Sequence, residues 1–162
     1  MSAMAHINTA RGLQPFAALP SSAARAGELA DGWLDLWNGD LSQADRVLST
    51  DFRTHAAMTG GGDGSEVGGR AGLAAWVEAT RVLMPDLWFT VQVGPIVSGD
   101  HLALRWHARG TYAGGMSGAA APAGTVIDFT GTDVLRIADG RLCEYWVNSD
   151  TLQMMAQLQA FG

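Results

Sequence analysis

Between Gly110 and Asp150 the chain has few ways to fold other than as two long strands joined by a tight turn. Thr125 to Ile137 and Arg141 to Asn148 are rich in β-branched and aromatic residues, and Ala138-Asp139-Gly140 separates them. That tripeptide suits a type I turn closed by a left-handed Gly bulge, which pairs Ile137 with Arg141. Counting back, Leu135 then faces Cys143, Asp133 faces Tyr145 and Gly131 faces Val147. Side chains alternate along a strand, so Phe129, Gly131, Asp133, Leu135, Cys143, Tyr145 and Val147 share one face. Thr130, Thr132, Val134, Glu144 and Trp146 share the other. A plain two-residue turn would instead set Trp146 opposite Asp133. In either register a carboxylate stands on an otherwise apolar face, and that position calls for an explanation.

Upstream, the periodicity predicts helices before strands. Leu29, Trp33, Leu36 and Trp37 recur at spacings of three and four, a helix from a Ser21 or Ser22 cap to about Trp37. Asn38-Gly39-Asp40 stops it. A short helix follows around 41–48, then an extended piece at 51–55 and a Gly-rich loop at 56–69. A helix over about 71–83 ends at Pro85. Leu87 to Val97 and His101 to Tyr112 then read as strands turning at Gly99-Asp100, and 151–161 as a last short helix. Helices followed by a meander of strands predict an α+β fold: one curved antiparallel sheet with the helices packed on one face. Residues 1–20 are read as a loose arm and 21–162 as a single domain, since 162 residues suffice for one core and not for two.

Composition narrows the function. The formal net charge is −6 and no basic stripe occurs, which argues against nucleic acid as a partner. All ten basic residues are Arg, a bias that with the abundant Ala and Gly fits a bacterial genome rich in G and C. The one cysteine, Cys143, forms no intrachain disulfide and fits a reducing compartment. No apolar run reaches the ~20 residues of a membrane span, and residues 1–20 lack the pattern of a secretion signal. The expectation is a cytoplasmic protein.

Several chemistries lack their residues. The histidines stand at 6, 55, 101 and 107, and six residues of strand separate the last two by roughly 20 Å, so no metal site is expected. The loop Gly60-Gly61-Gly62-Asp63-Gly64 lacks the Lys-Ser/Thr end of a phosphate loop and is read as a mobile lid. There is no Gly-x-Ser-x-Gly elbow.

The runs Gly110-Thr111, Pro122-Ala123-Gly124, Asp133-Val134-Leu135-Arg136, Asp139-Gly140-Arg141-Leu142 and Glu144-Tyr145-Trp146, with Asp51-Phe52-Arg53-Thr54-His55 upstream, resemble the SnoaL-like polyketide cyclases of the nuclear-transport-factor-2-like superfamily. The resemblance covers about 21–161. It implies a cone with a deep pocket between sheet and helices, lined by Arg53, His55, His107, Arg109, Phe129, Gly131, Asp133, Tyr145 and Val147. Many relatives place a catalytic Asp directly after the Trp of the Glu-x-Trp motif; here that residue is Val147.

The expected catalytic groups are Asp133, His107 and His55. Asp133 is either a structural carboxylate or a general acid/base whose pKa burial raises. The odd face of the His107 strand carries Arg105, His107 and Arg109, which point into the pocket or simply into solvent. Arg53, His55 or Tyr145 would steady an oxyanion. Trp33, Trp37, Trp76, Trp88 and Met58 read as core, and Trp33, Trp37 and Met58 also as a wall for a flat ligand, with Arg53, Arg109, Phe129, Tyr145 and Val147 completing the substrate contacts. The function expected is a cofactor-independent cyclase or isomerase of a small apolar carbonyl compound. The alternatives are a hydrolase or hydratase and a non-catalytic binding module. A homodimer is expected through a second sheet face carrying Val134 and Trp146, with Leu102, Leu104 and Trp106 beside them.

Overall fold

The computed structural model describes residues 20–58 and 61–161; the expected arm up to residue 19 and the loop residues 59–60 lie outside them. In chain order the elements are α1 (Pro20–Trp37), α2 (Gln43–Val47), β1 (Leu48–Ala56), α3 (Gly69–Leu83), β2 (Trp88–Ser98), β3 (His101–Thr111), β4 (Val126–Ala138), β5 (Arg141–Ser149) and α4 (Thr151–Gln157). The α+β architecture is the one expected. Helix α1 begins at Pro20, which places Ser21 and Ser22 inside its first turn rather than at the cap. Among the described residues, no helix is long and apolar enough to cross a membrane.

The five strands form one curved, unclosed sheet in the order β1-β5-β4-β3-β2. Neighbours are antiparallel except β1, which runs parallel to β5. The short extended piece expected at 51–55 is thus a nine-residue edge strand. Helix α1 lies across the concave face and is pinned at its end by Asn38. The Asn38 side chain accepts from the Phe89 backbone N–H at 2.7 Å and donates to the Phe89 carbonyl at 3.1 Å. Leu29, Trp33 and Leu36 of α1 are buried against Leu102, Leu104 and Leu135 of the sheet and Phe52 of β1, all in one core.

The β4–β5 register differs from the expected one. Asp139 and Gly140 both have positive φ, 49° and 71°, so the turn is a two-residue type I′ turn pairing Ala138 with Arg141. A bulge follows at once: Ile137 pairs with Leu142 and Arg136 with Glu144, leaving Cys143 as the extra residue. Asp133 therefore faces Val147, Leu135 faces Tyr145, and Val134 faces Trp146. Two one-residue slips sum to an even number, so the inward set survives apart from one member. Leu142 is buried in place of Cys143, which sits half-buried on the bulge.

Strand β3 corrects a second expectation. Leu102, Leu104, Trp106 and Ala108 point into the core, and Arg105, His107 and Arg109 point outward. Leu102, Leu104 and Trp106, expected beside the outer face, are absent from it, whereas Val134 and Trp146 do lie there, both half-buried. Its exposed apolar side chains are instead Trp88, Val93 and Ile96 of β2 and Val126 of β4; paired residues share a face, and these pair with Arg109, Arg105, Ala103 and Thr111 of β3. Trp88, expected in the core, is 58% exposed.

A buried carboxylate in an aromatic cavity as the candidate functional site

Between the concave face and the helices lies a cavity of about 230 Å³. Helices α1 and α3 and strands β2 to β5 supply most of its wall, largely with aromatic side chains. From α1 come Trp33 and Trp37, one helical turn apart. Trp76 and Thr80 of α3 repeat that spacing on the other side. Phe89, Trp106, Phe129, Tyr145 and Val147 come from the inward positions of β2, β3, β4 and β5. The rings meet mostly edge to face: Trp33 and Tyr145 with centroids 4.6 Å apart, Trp37 and Trp76 at 5.4 Å, Trp106 and Phe129 at 5.7 Å. Ala57 and Met58 border the cavity beyond β1, and Asn148, Ser149, Thr151 and Met154 border it at the end of β5 and the start of α4.

Asp133 stands in this wall at 3% exposure. Three donors converge on its carboxylate. The Trp106 indole N–H donates to Oδ1 at 2.8 Å, the Tyr145 hydroxyl donates to Oδ1 at 3.1 Å, and the Trp33 indole N–H donates to Oδ2 at 2.8 Å. Burial pushes the carboxyl up from its ordinary 3.8, the three hydrogen bonds pull it back, and the balance stands at about 6. Burial, together with the neighbouring Asp133, holds Tyr145 well above the usual phenol range, so it remains a neutral donor. The Trp37 indole N–H is buried without a hydrogen-bond partner.

The other residues expected at the site are elsewhere. His107 lies on the outer face of β3, its Nε2 2.8 Å from Asp128 Oδ1, and Arg109 reaches the same carboxylate at 3.5 Å. His55 is on the outer face of β1, 2.9 Å from Glu144 and stacked on Trp146 with centroids 5.1 Å apart. Arg53 is exposed on the same face, 4.0 Å from Glu144. The expected inward direction for these four is corrected by simple alternation: Phe52, Thr54 and Ala56 take the inward positions of β1, and the apolar even residues those of β3. Of the residues expected to line the pocket, the structure brings together Asp133, Tyr145, Phe129, Val147, Trp33, Trp37 and Met58. Sequence reasoning missed Trp106 as a partner of Asp133. The unbroken apolar series Leu102, Leu104, Trp106, Ala108 was the signal that turns it inward.

Chemically, the cavity offers one titratable carboxylate held by two indoles and a neutral phenol, with Thr80, Asn148, Ser149 and Thr151 as further polar lining in a mostly apolar enclosure. Among the described residues, none lining the cavity is cationic, His or Cys, and no group of three metal-ligating side chains occurs.

Comparison with known proteins gives this arrangement a family. IdmH from Streptomyces antibioticus, provisionally assigned as a polyketide cyclase, is 29% identical and superposes with a TM-score of 0.69 over 82% of this chain and 97% of its own. TsrD from Streptomyces laurentii is 25% identical, with a TM-score of 0.70 over 85% of this chain and 97% of its own. A protein of Bacillus cereus ATCC 10987, also provisionally assigned as a polyketide cyclase, shares the fold with a TM-score of 0.74 over 90% of this chain and 87% of its own, at 21% identity. No curated protein sequence matches the chain. The SnoaL-like polyketide cyclase profile matches residues 27–158, nearly the whole described domain, and the chain belongs to that family.

Proposed function

We propose that the protein is a cofactor-independent cyclase or isomerase that acts on a small, apolar, polyketide-like carbonyl compound through Asp133. The observation that carries this reading is a single carboxylate in an aromatic cavity, balanced so that it titrates at about 6. A proton carrier works best when its pKa lies near the working pH. At neutral pH Asp133 is mostly ionised and able to take a proton from a carbon beside a carbonyl. The resulting enolate carbon attacks a second carbonyl of the same molecule and closes a ring. The protonated Asp133 returns its proton to the new alkoxide, so no proton is gained or lost overall. The aromatic walls hold the folded chain and exclude water.

The roles first expected of His107, His55 and Arg53 do not enter this mechanism, because none of them reaches the cavity. A hydrolase or hydratase reading would need a second polar group to hold water opposite Asp133, and the facing position is Val147. The test is turnover of a panel of neutral, ring-forming carbonyl compounds by the parent and by Asp133→Asn. The expected result is ring closure by the parent and a loss of about 10²–10⁴-fold in the variant. Equal rates would overturn the mechanism. Saturable binding with no turnover of any compound would leave the cavity as that of a binding module.

A further inference from the structure

We propose that Trp33 and Trp106 are positioning residues that hold Asp133 as an ionised base by gripping one carboxylate oxygen each, and that Gly131 lacks a side chain in order to admit the second indole. The inference rests on the reading of Asp133 as the proton carrier.

Indole N–H groups donate and never accept. Two of them aimed at one carboxyl, both at 2.8 Å, match the charged form with its two acceptor oxygens. They match the acid form less well, because its hydroxyl proton occupies one of those oxygens. The two indoles arrive from separate elements, Trp33 from α1 and Trp106 from β3, and neighbouring rings fix both. Trp33 packs against Tyr145 and Phe52, with the Phe52 centroid 6.0 Å away; Trp106 packs against Phe89 at 5.2 Å and Phe129 at 5.7 Å. Gly131 is the cross-strand partner of Trp106 and stands two residues before Asp133 on the same face. A Cβ there would fall 2.5 Å from Trp106 Cη2 and also collide with the adjoining ring atoms, so any side chain would drive the indole off its line to Oδ1.

The grip is uneven. Oδ1 accepts from both Trp106 and Tyr145, whereas Oδ2 accepts from Trp33 alone. The proton therefore enters and leaves at Oδ2. No other charge competes for the carboxylate among the described residues. Tyr145 on β5 is the other titratable group facing it. Arg105 on β3, Arg136 on β4, Glu144 on β5 and Arg53 on β1 lie on the opposite face, and Asp31 and Asp35 of α1 and Glu78 of α3 are exposed. Hydrogen bonding by the indoles then explains why so deeply buried a carboxyl still titrates near neutrality.

The test reads the titration directly, without substrate, so its failure is distinct from failure of the cyclase reading, which turnover decides. Protein carrying ¹³C-labelled aspartate carboxyls and ¹⁵N-labelled indoles is titrated by NMR, with Asp133→Asn identifying the Asp133 resonance. Trp106→Phe and Trp33→Phe keep an aromatic ring and remove the donor. Each is expected to raise the Asp133 midpoint by about one to two pH units, the equivalent of one hydrogen bond to a charged group. Gly131→Ala is expected to shift it in the same direction as Trp106→Phe. In the unmodified protein the Trp33 and Trp106 indole resonances should move with the same midpoint as the carboxyl, a check that survives if a variant does not fold. A midpoint unchanged or lowered in Trp106→Phe, or indole resonances that ignore the carboxyl titration, would overturn the proposal.

Discussion

Asp133→Asn should change the way stability depends on pH, and the size of the change follows from the site. The folded pKa of about 6 lies above the ordinary value of 3.8. A group raised in this way adds stability that is fully present below about pH 4 and is lost as the pH rises through about 6. A rise of roughly two pH units, at 1.36 kcal/mol per unit, makes the loss about 3 kcal/mol between those limits. That is a large fraction of the roughly 5–15 kcal/mol that holds a domain of this size together. Asn cannot ionise, so the variant lacks this loss. It has another defect: its amide nitrogen cannot accept, so one of the indole N–H groups is left unpaired, at about 1–3 kcal/mol. That cost is the same at every pH and enters as a constant offset.

The quantity to measure is therefore the stability difference between parent and variant, from urea unfolding at fixed protein concentration between about pH 4 and about pH 8. Asp40, Asp63, Asp86 and Glu144 have pKa values lowered mainly by hydrogen bonds and add stability in the opposite sense, but they are common to both proteins and cancel. The variant should gain on the parent by about 3 kcal/mol across the window, most steeply near pH 6. A difference flat in pH would refute the picture of a carboxylate held ionised against its surroundings. A difference growing in the parent's favour would mean the donors outweigh burial, and Asp133 would be a structural ion.

Two further expectations concern the outer face of the sheet. His107→Ala and His55→Ala remove outer-face hydrogen-bond partners of Asp128 and Glu144, so each should change stability by no more than about 0.5 kcal/mol and leave turnover intact; a large loss of rate in His107→Ala would place that imidazole at the reaction. We propose a homodimer through the outer face, whose Trp88, Val93, Ile96 and Val126 are left uncovered, so light scattering should give about twice the 17.0 kDa chain mass, returning to one chain in Val93→Glu/Ile96→Glu. A mass of one chain at every concentration would rule the dimer out.

How much of this was legible in the sequence depended on the range of the interaction that decided it. The helices and strands rest on local periodicity, and their positions were readable to within a few residues. The inward side of β4 was readable too, because alternation fixes a face even where register is wrong. Register itself turned on Asp139 adopting a positive φ and on a bulge at Cys143, neither of which alternation reports. The pairing of β1 with β5 joins segments some ninety residues apart and leaves no local trace. For β3 the local pattern was sound, and weighting family register above it turned His107 and Arg109 inward and hid Trp106. Tyr145 was expected directly across from Asp133. It reaches the carboxylate from two residues along β5, because a phenol is long enough to span the diagonal between strands.

On the proposed mechanism, the pair Asp133 and Val147 accounts for a single carboxylate serving as both acid and base. Directly paired residues send their side chains into the same part of the cavity, with Cβ atoms only about 4.5–5.5 Å apart. The resemblance leads one to look for an acid at 147. Were one present beside Asp133 in an enclosure without a cation, the two could not both ionise, and one would be driven to hold a proton near neutrality. Val147 removes that coupling. Asp133 then answers only to burial, two indoles and a phenol. The group that takes the proton must also return it, which suits a cyclisation or isomerisation with no net loss of protons better than a hydrolysis that needs a separate base for water.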